Sequence, residues 1–343
     1  MSFSAILGNT KTSHLFQAVF KADTIQVRAG TLLKCMSSHL SRYQTNYNGV
    51  MAKSLTLLTV HAHPDDESSK GAATVAKLRD HGIRSILVTC TGGEEGDINN
   101  PAMDRPDVKQ NLSQIRREEL DKAINIIGYE KLYLLGYRDS GMPGRPSNSR
   151  SDSFAQASLE EAGDKLIEII RREKPQVMVT YHENQSGYPH PDHLKVHDVS
   201  VYAFHHSGDA NYKPELGLPH QVSKLYYSAW STNRAKAFHN KFVELGLNSP
   251  FSEERLNRAG NDEEITTRID VRGYYRVRKD ALLAHATQID PASNFWFGLP
   301  DDLAEDLWPF EDYILVHSLA ERIEPADRIE EDLFAGLLDD NRP

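Results

Sequence analysis

Apolar and polar stretches alternate along the chain from residue 54 onward. An apolar run rich in β-branched residues predicts a buried strand at residues 55–60, and further strands are predicted at 85–90, 131–135 and 176–181. Segments with apolar residues at helical spacing predict helices at residues 71–78, 113–127, 159–172, 193–204 and 274–288. This alternation predicts an α/β fold with a Rossmann-like, mostly parallel sheet and helices on both faces.

The same pattern divides the chain into three parts. Residues 54–206 hold the predicted Rossmann-like catalytic core, and residues 207–343 form a helical and mixed C-terminal extension that completes the core and the rim of the site. Residues 1–50 contain five basic residues and one acidic residue, Asp23, among many Ser and Thr, which is typical of an organelle transit segment. We favour translation from Met51, which leads directly into the first strand, and assign residues 1–50 no function.

A first candidate site follows the first predicted strand, where residues 61–67 have the sequence HAHPDDE. Parallel sheets bind ligands at the carboxyl ends of their strands. His63 and Asp66, three residues apart around a tight turn, can converge on one point, and imidazole and carboxylate are zinc ligands. Asp65 lies between them and is left to act as a general base. The alternative is a helix cap formed by Asp65 or Asp66, although two histidines and three acids exceed what a cap requires.

A second cluster repeats this arrangement after the strand at 176–181. Residues 188–193 have the sequence YPHPDH, and a helix is predicted from His193. His193 is the candidate third metal ligand, and His190 lies one loop turn earlier. Either histidine alone is more often a surface or capping residue, but both follow a strand as the first cluster does. The two clusters therefore predict one metal site, with zinc as the expected ion and iron(II) as an alternative.

Polar residues also follow the second predicted strand. The loop at residues 91–97, TGGEEGD, lacks the spacing of a dinucleotide-binding loop, and its three acids suit a hydroxyl-rich or amine-bearing ligand better than phosphate. In the next helix, Arg116 and Glu119 lie at helical spacing, which predicts a solvated, ion-paired face. The alternative is that Arg116 or Arg117 braces the metal loop.

These residues carry a resemblance to a known family. The segments AHPDDE at 62–67 and HPDH at 190–193 resemble the signature of the LmbE/PIG-L family of zinc-dependent N-deacetylases. The resemblance implies that Asp65 is the general base. The zinc ligands that it implies are His63, Asp66 and His193.

The resemblance also implies roles for three residues of the second cluster. His190 would stabilise the oxyanion or pass a proton, and Tyr188 would help to polarise the carbonyl. Asp192 would orient a neighbouring imidazole. Together these roles imply metal-assisted hydrolysis of an amide to an amine and a carboxylic acid.

Within that family the chain is similar to the mycothiol S-conjugate amidases. The matching stretches span roughly residues 54–310 and lie at 61–74, 91–104, 187–193, 224–227 and 283–291. The similarity implies that the substrate is an N-acyl glucosamine-type compound, a mycothiol S-conjugate. The implied products are glucosaminyl-inositol and an N-acetylcysteine S-conjugate, as in thiol detoxification.

The similarity also implies where substrate binds. The candidate substrate-binding residues are Lys70, Glu95, Asp97, His285 and Gln288. We expect His285 and Gln288 at the rim of the site, on the helix predicted at 274–288. The amidase pattern has an Arg where this chain has Glu95, and a Glu there resembles the related N-acetylglucosaminyl-inositol deacetylases. The alternative function is therefore deacetylation of N-acetylglucosaminyl-inositol or of another N-acetylglucosamine compound.

Composition narrows the classes of partner. The net charge of −10 argues against a nucleic-acid partner, because phosphate binding needs a basic surface. Two cysteines, Cys35 and Cys90, are too few for a disulfide framework and fit a reducing, cytoplasmic setting. No run approaches the ~20 apolar residues of a membrane helix. We expect a small-molecule partner and make no prediction of oligomeric state.

Two other classes of function compete with hydrolysis. A mononuclear iron(II) oxygenase also uses two histidines and one carboxylate, and iron content with oxygen uptake would identify it. Such oxygenases are often β-rich, whereas this chain alternates strands and helices. A non-catalytic sugar-binding module would not need Asp65 beside three metal ligands, and it would bind sugar without hydrolysis.

Overall fold

A computed structural model describes residues 55–185, 188–258, 260–320 and 328–337. The segment 1–50 and its Cys35 lie outside these ranges. The strands of the described part are β1 (Thr56–His61), β2 (Arg84–Thr91), β3 (Lys131–Tyr137), β4 (Val177–Tyr181), β5 (Lys224–Ala229), β6 (Thr267–Asp270) and β7 (Phe310–Ser318). The helices are α1 (Asp66–Ser69), α2 (Ala72–Asp80), α3 (Pro106–Gln110), α4 (Leu112–Ile127), α5 (Leu159–Glu173), α6 (Pro191–Ser207), α7 (Thr232–Glu244), α8 (Glu253–Asn257), α9 (Tyr275–Ala284), α10 (Asn294–Phe297) and α11 (Asp301–Leu307).

The seven strands form one sheet in the order β3-β2-β1-β4-β5-β7-β6. The five strands from β3 to β5 in this order are parallel, and β7 is antiparallel to both β5 and β6. The predicted mostly parallel sheet is therefore confirmed. The chain builds outward from β1 to β3 and then returns to add β4 on the other side of β1. A crevice opens at such a reversal of strand order, and ligands bind there.

Helices cover both faces of the sheet, as predicted. Successive strand residues point to opposite faces, so Leu58 packs with one buried cluster and Leu57 with the other. Residues of α5 and α6 complete the first cluster, and residues of α2, α4 and α9 complete the second. Cys90 is buried in β2, as the sequence predicts. The two packed faces hold the strand ends rigidly, which fixes the loops that follow them.

The helix predicted at 274–288 ends earlier, at Ala284. The next residues turn inward because Thr287 donates its N–H and its hydroxyl to Glu119 of α4, at 2.8 and 2.7 Å. A long-range contact therefore overrides the local helical preference. Strands β5, β6 and β7 of the C-terminal part extend the same sheet. Across the described ranges, no helix has both the length and the apolar character to cross a membrane.

Candidate active site

The turn after β1 brings His63 and Asp66 together. The N–H of His63 donates to Asp66 Oδ2 at 3.0 Å. Asp65 adopts a left-handed φ of 107°, which is uncommon for a residue other than glycine. Its N–H donates to Glu67 Oε2 at 2.9 Å, which helps to hold this backbone conformation. The turn thus directs Asp66 toward the histidines, while Asp65 lines a cavity.

His63, Asp66 and His193 meet in the crevice between β1 and β4. Asp66 Oδ2 lies 3.5 Å from His63 Nδ1 and 3.5 Å from His193 Nε2. Ligand atoms around a tetrahedral zinc ion are about 3.4 Å apart, given bonds of about 2.1 Å. All three side chains are buried, and their ligand atoms lie within 4.8 Å of one another. The three residues therefore form a group that could hold a divalent metal ion.

The charge around His63 also fits a cation. His63 Nε2 lies 3.1 Å from Asp192 Oδ2 and 3.4 Å from Asp139 Oδ1, and Asp66 faces the other nitrogen. Burial lowers the pKa of His63, but hydrogen bonds to these three carboxylates outweigh burial and raise it well above the ordinary value. Buried carboxylates need a compensating positive charge. A metal ion at this point would supply that charge.

Asp192 and Ser140 fix the orientation of His63. Ser140 donates its N–H to Asp192 Oδ2 at 2.9 Å and its hydroxyl to Asp192 Oδ1. When His63 Nε2–H donates to Asp192, Nδ1 faces Asp66 as a free ligand atom. A second group that could hold a metal comprises His63, Asp139, His190 and Asp192. We favour the group with Asp66 and His193, because it leaves Asp192 to orient the His63 ring through Nε2.

Asp65 is held at the cavity wall beside this group. Gln288 Nε2 donates to Asp65 Oδ2 at 2.8 Å and to the carbonyl oxygen of Pro64 at 2.7 Å. Burial, followed by the charge of Asp66, raises the pKa of Asp65 to about 7. The Asp65 side chain caps no amide of α1, so its contacts do not support the helix-cap alternative. A fixed carboxylate with a raised pKa suits proton transfer near neutral pH.

His190 and Tyr188 lie next to the histidines of the metal-ligand group. His190 Nδ1 accepts the N–H of Asp192 at 3.2 Å, which leaves Nε2 to carry the proton of the neutral ring. Burial, followed by the charge of His63, lowers the pKa of His190 to about 4. The rings of His63 and His190 are 4.6 Å apart. Tyr188 is half exposed and its ring lies 6.0 Å from that of His190.

A cavity of about 580 Å³ opens in front of these residues, within the usual range for small-molecule sites. It is lined by four of the predicted substrate-binding residues, namely Lys70, Glu95, Asp97 and Gln288. Glu95 pairs with Arg138 at 2.7 Å, and Asp97 pairs with Arg145 at 2.8 Å. This wall of the cavity is therefore polar and carries charges of both signs.

His285 does not lie at the rim, and that expectation is wrong. Its side chain is fully buried, and Nε2 lies 2.6 Å from Glu67 Oε1. Burial lowers the pKa of His285, but Glu67 outweighs burial and raises it. Because the chain turns inward after α9, His285 lies behind the loop that carries Asp65. It contacts that loop through Glu67 and does not line the cavity.

The contribution of β3 was not predicted. Asp139 and Ser140 follow β3 just as His63 follows β1, and both contact residues of the metal site. The predicted strand stopped at residue 135, whereas β3 continues to Tyr137. Asp139 and Ser140 are polar residues that follow the strand predicted at 131–135, and this position could have identified them from the sequence. Trp230, which follows β5 and lines the cavity, was also missed because the apolar pattern did not predict that strand.

Arg116 does not form the predicted solvated face. It is buried and donates to the carbonyl oxygens of Gly93, of Gly96 at 3.1 Å and of Asp97 at 3.0 Å. Arg116 therefore braces the glycine loop after β2. Arg117 is exposed and pairs with Asp121.

Comparisons with known proteins agree with this geometry. The family model for GlcNAc-PI de-N-acetylase, PIG-L, matches residues 58–204. The chain is 41% identical over 299 residues to mycothiol S-conjugate amidase of Streptomyces coelicolor, covering 84% of this chain and 99% of that protein. It is 38% identical over 294 residues to 1D-myo-inositol 2-acetamido-2-deoxy-alpha-D-glucopyranoside deacetylase of Streptomyces avermitilis, covering 82% and 97%.

A solved structure shares the fold. N,N'-diacetylchitobiose deacetylase from Pyrococcus horikoshii, complexed with its inhibitor MPG, matches with a TM-score of 0.54 at 16% identity, covering 84% of this chain and 95% of that chain. The chain thus combines an α/β sheet with a His–Asp–His group that could hold a metal ion, and the family model and the relatives define a hydrolytic enzyme. The chain belongs to the PIG-L family, which confirms the resemblance seen in the sequence, and it acts on amide bonds.

Proposed function

We propose that the protein is a zinc-dependent amidase that cleaves a mycothiol S-conjugate to glucosaminyl-inositol and an N-acetylcysteine S-conjugate. The observation that carries the proposal is the 41% identity that extends over 99% of the Streptomyces coelicolor amidase. The size of the cavity supports it, because about 580 Å³ is large enough for a drug-sized ligand. The partner is thus a small sugar amide.

In this proposal the metal ligands are His63, Asp66 and His193. Their donor set of two imidazoles and one carboxylate is that of a catalytic zinc site. Asp192 keeps the His63 ring in place through the 3.1 Å contact at Nε2. When bound, zinc polarises the amide carbonyl as a Lewis acid and makes water more acidic. Iron(II) accepts similar ligands, but hydrolysis requires no change of oxidation state, so zinc is the proposed ion.

The protein side chains move the protons. Asp65 accepts a proton from the water that attacks the amide carbon, and Gln288 keeps its carboxylate directed at the cavity. His190 donates from Nε2 to the oxygen that becomes negatively charged, and Tyr188 assists from the cavity mouth. Removing one such donor typically costs ~2.7–4 kcal/mol of transition-state stabilisation. Asp65, now protonated, passes its proton to the leaving amine, since an unprotonated amine leaves poorly.

The polar wall of the cavity takes the amine portion of the substrate. Glu95 and Asp97 offer carboxylate acceptors for sugar and inositol hydroxyls. The Lys70 ammonium donates to Asp66 Oδ1 and has further N–H groups for substrate. Arg138 and Arg145 hold the two carboxylates in place. A wall of fixed acceptors and donors suits a hydroxyl-rich ligand.

The serious alternative is a deacetylase of N-acetylglucosaminyl-inositol. Glu95 favours it, because the amidase pattern has an Arg at that position. The 38% identity to the Streptomyces avermitilis deacetylase favours it as well. The chemistry of the site would be the same, and the acyl group would be acetyl.

One experiment separates the two. The same zinc-loaded preparation is given a mycothiol S-conjugate and N-acetylglucosaminyl-inositol, and kcat/KM is measured for each. We expect the conjugate to be cleaved more efficiently, with release of glucosaminyl-inositol. A higher kcat/KM for the acetyl compound would establish the deacetylase, and cleavage of neither would reject both.

A further inference from the structure

Two tryptophans, Trp230 and Trp296, line a part of the cavity that no part of the reaction uses, and Phe295 packs against them. This aromatic wall consists of Trp230, Phe295 and Trp296. The Trp230 ring centre lies 6.1 Å from that of Phe295, with an interplanar angle of 2°, and 6.1 Å from that of Trp296, with an interplanar angle of 84°. Both tryptophans line the cavity and are half-buried. The two tryptophans therefore present an aromatic surface to the space where substrate binds, and Arg255, which also lines the cavity, lies 4.8 Å from the Phe295 ring centre.

Arginine side chains contact the rings of both tryptophans in the aromatic wall. The guanidinium of Arg234 lies 5.3 Å from the Trp230 ring centre, and that of Arg278 lies 5.5 Å from the Trp296 ring centre. Such cation–π contacts restrict the motion of a ring. Apolar surfaces that are rigid before binding lose less entropy when a ligand arrives. The aromatic wall thus has the properties of a prepared binding surface.

The aromatic wall and the polar wall follow different strands of the sheet, and this indicates which part of the substrate each wall contacts. Glu95 and Asp97 follow β2, whereas Trp230 follows β5. Strands β1 and β4, which precede the residues proposed as metal ligands, lie between β2 and β5. Because neighbouring strands are about 4.8 Å apart, the two walls are separated by about 14 Å along the sheet. An amide bound at the metal ligands would extend one substituent toward each wall.

The geometry points to the aromatic wall as a subsite for an apolar, flat group on the acyl side of the amide, such as an aromatic substituent on the thiol of the conjugate. The sugar hydroxyls require hydrogen-bond donors and acceptors, which the polar wall offers, whereas the aromatic wall offers only the indole N–H groups of its two tryptophans. An aromatic group stacks on such rings without losing hydrogen bonds. This inference rests on the proposed function, which identifies the amide between the amine and the acyl group as the bond that is cleaved. An acetyl group lacks the side chain that would stack on the rings, so the wall would select for bulky acyl groups.

The test compares two amides of the same amine, glucosaminyl-inositol. One carries acetyl and the other carries S-benzyl-N-acetylcysteine. We expect Trp230→Ala to lower kcat/KM for the benzyl amide by about tenfold or more, with little change for the acetyl amide. Trp230→Phe should restore most of the preference because it keeps an aromatic face. The matched control is Trp308→Ala, since Trp308 is also half-buried under an arginine but does not line the cavity.

Equilibrium binding separates this inference from the proposed function. Free S-benzyl-N-acetylcysteine and free glucosaminyl-inositol are titrated into zinc-loaded wild type and Trp230→Ala by calorimetry. We expect Trp230→Ala to bind the thioether acid with a Kd at least fivefold higher than that of wild type, which is roughly 1 kcal/mol of binding free energy. The Kd for the amine should be unchanged. If these binding changes are seen but wild type hydrolyses neither amide, the proposed function is rejected and the subsite still stands.

Two results would overturn the subsite. If wild type cleaves both amides and Trp230→Ala loses the same fraction of activity on each, Trp230 has a structural role and does not bind the acyl group. Weaker binding of glucosaminyl-inositol alone would show that the sugar stacks on the aromatic wall. If circular dichroism shows that Trp230→Ala does not fold, Trp230→Leu is used instead. The same kinetic and calorimetric comparisons then test the subsite.

Discussion

Gln288 donates a hydrogen bond from its side-chain amide to Asp65 Oδ2 over 2.8 Å, across 223 residues of sequence. The same nitrogen donates to the carbonyl oxygen of Pro64 at 2.7 Å. Gln288 therefore forms hydrogen bonds to both the side chain of Asp65 and the backbone of the residue before it. This contact joins the turn after α9 to the loop after β1, and it gives the proposed general base a fixed direction.

Gln288→Ala should lower kcat by roughly tenfold to a hundredfold, because a hydrogen bond to a charged group is worth about 1.5–3 kcal/mol. Zinc content should stay unchanged, since Gln288 contacts no metal ligand among its described partners. Steady-state kinetics and metal analysis of the purified variant measure both. Gln114→Ala, on the exposed face of α4, is the matched control. Loss of zinc from the Gln288 variant would contradict the view that Gln288 only positions Asp65.

Asp65→Ala should keep most of the bound zinc and lose most of the turnover, because Asp65 would move protons and not hold the metal. His63→Ala should lose the zinc. The comparison requires metal analysis and kinetics on both variants. Equal metal loss in the two would make Asp65 a ligand.

His193→Ala should strip the metal, whereas His190→Ala should retain it with much lower kcat. The reason is that His193 Nε2 faces Asp66, while His190 Nδ1 is already used by the N–H of Asp192. The loss of the His190 donor should cost ~2.7–4 kcal/mol, or about a hundredfold to a thousandfold in kcat. Metal analysis decides the outcome, and the reverse pattern would favour the second possible metal group.

Asp192→Asn should weaken zinc binding by about 10- to 100-fold, the usual effect of losing a residue that orients a metal-binding histidine. The Asn side chain has the same shape but carries no negative charge for His63 Nε2–H. Competition with a zinc chelator measures the affinity. Asp198→Asn, at an exposed position of the same helix α6, should leave it unchanged. Unaltered affinity in Asp192→Asn would mean that His63 needs no such partner.

Glu173 should make the fold sensitive to acid. Its carboxylate accepts bonds from Lys131 and Arg84 at 2.6 Å and from the hydroxyl of Tyr133. Burial raises the pKa of Glu173, but these partners outweigh burial and lower it from 4.5 to about 2. A lowered pKa means that the stabilisation is complete above pH 4.5 and is lost as pH falls toward 2.

Glu173→Gln should therefore reduce the free energy of unfolding at pH 7 by roughly 2 kcal/mol, since it removes a charged acceptor from two cations. The difference from wild type should shrink as pH falls from 4.5 to 2. Urea unfolding at several pH values measures it. Glu168→Gln, in an exposed pair with Arg172 on the same helix, serves as control. A difference that does not depend on pH would refute the assignment.

The sequence by itself determined the central sheet and the central part of the site. The apolar runs of β1, β2 and β4 are local signals, because a strand buried on both faces must be apolar along its whole length. Strand β3 lies at the edge of the sheet and is only partly buried, but its apolar run still predicted a strand. Parallel strands place their carboxyl ends at one edge, so HAHPDDE at 61–67 and YPHPDH at 188–193 were expected to meet. The contact of Asp66 with His193 follows from that topology.

Only the tertiary structure decided the residues that support this site. His285 is buried against Glu67 because Thr287 binds Glu119 and ends α9 early, and no local pattern contains that contact. Arg116 turns inward because the glycine loop presents carbonyl oxygens to it. The aromatic wall likewise joins residues more than sixty positions apart. Helical spacing and strand periodicity describe neighbours along one element, whereas these contacts depend on how separate elements pack.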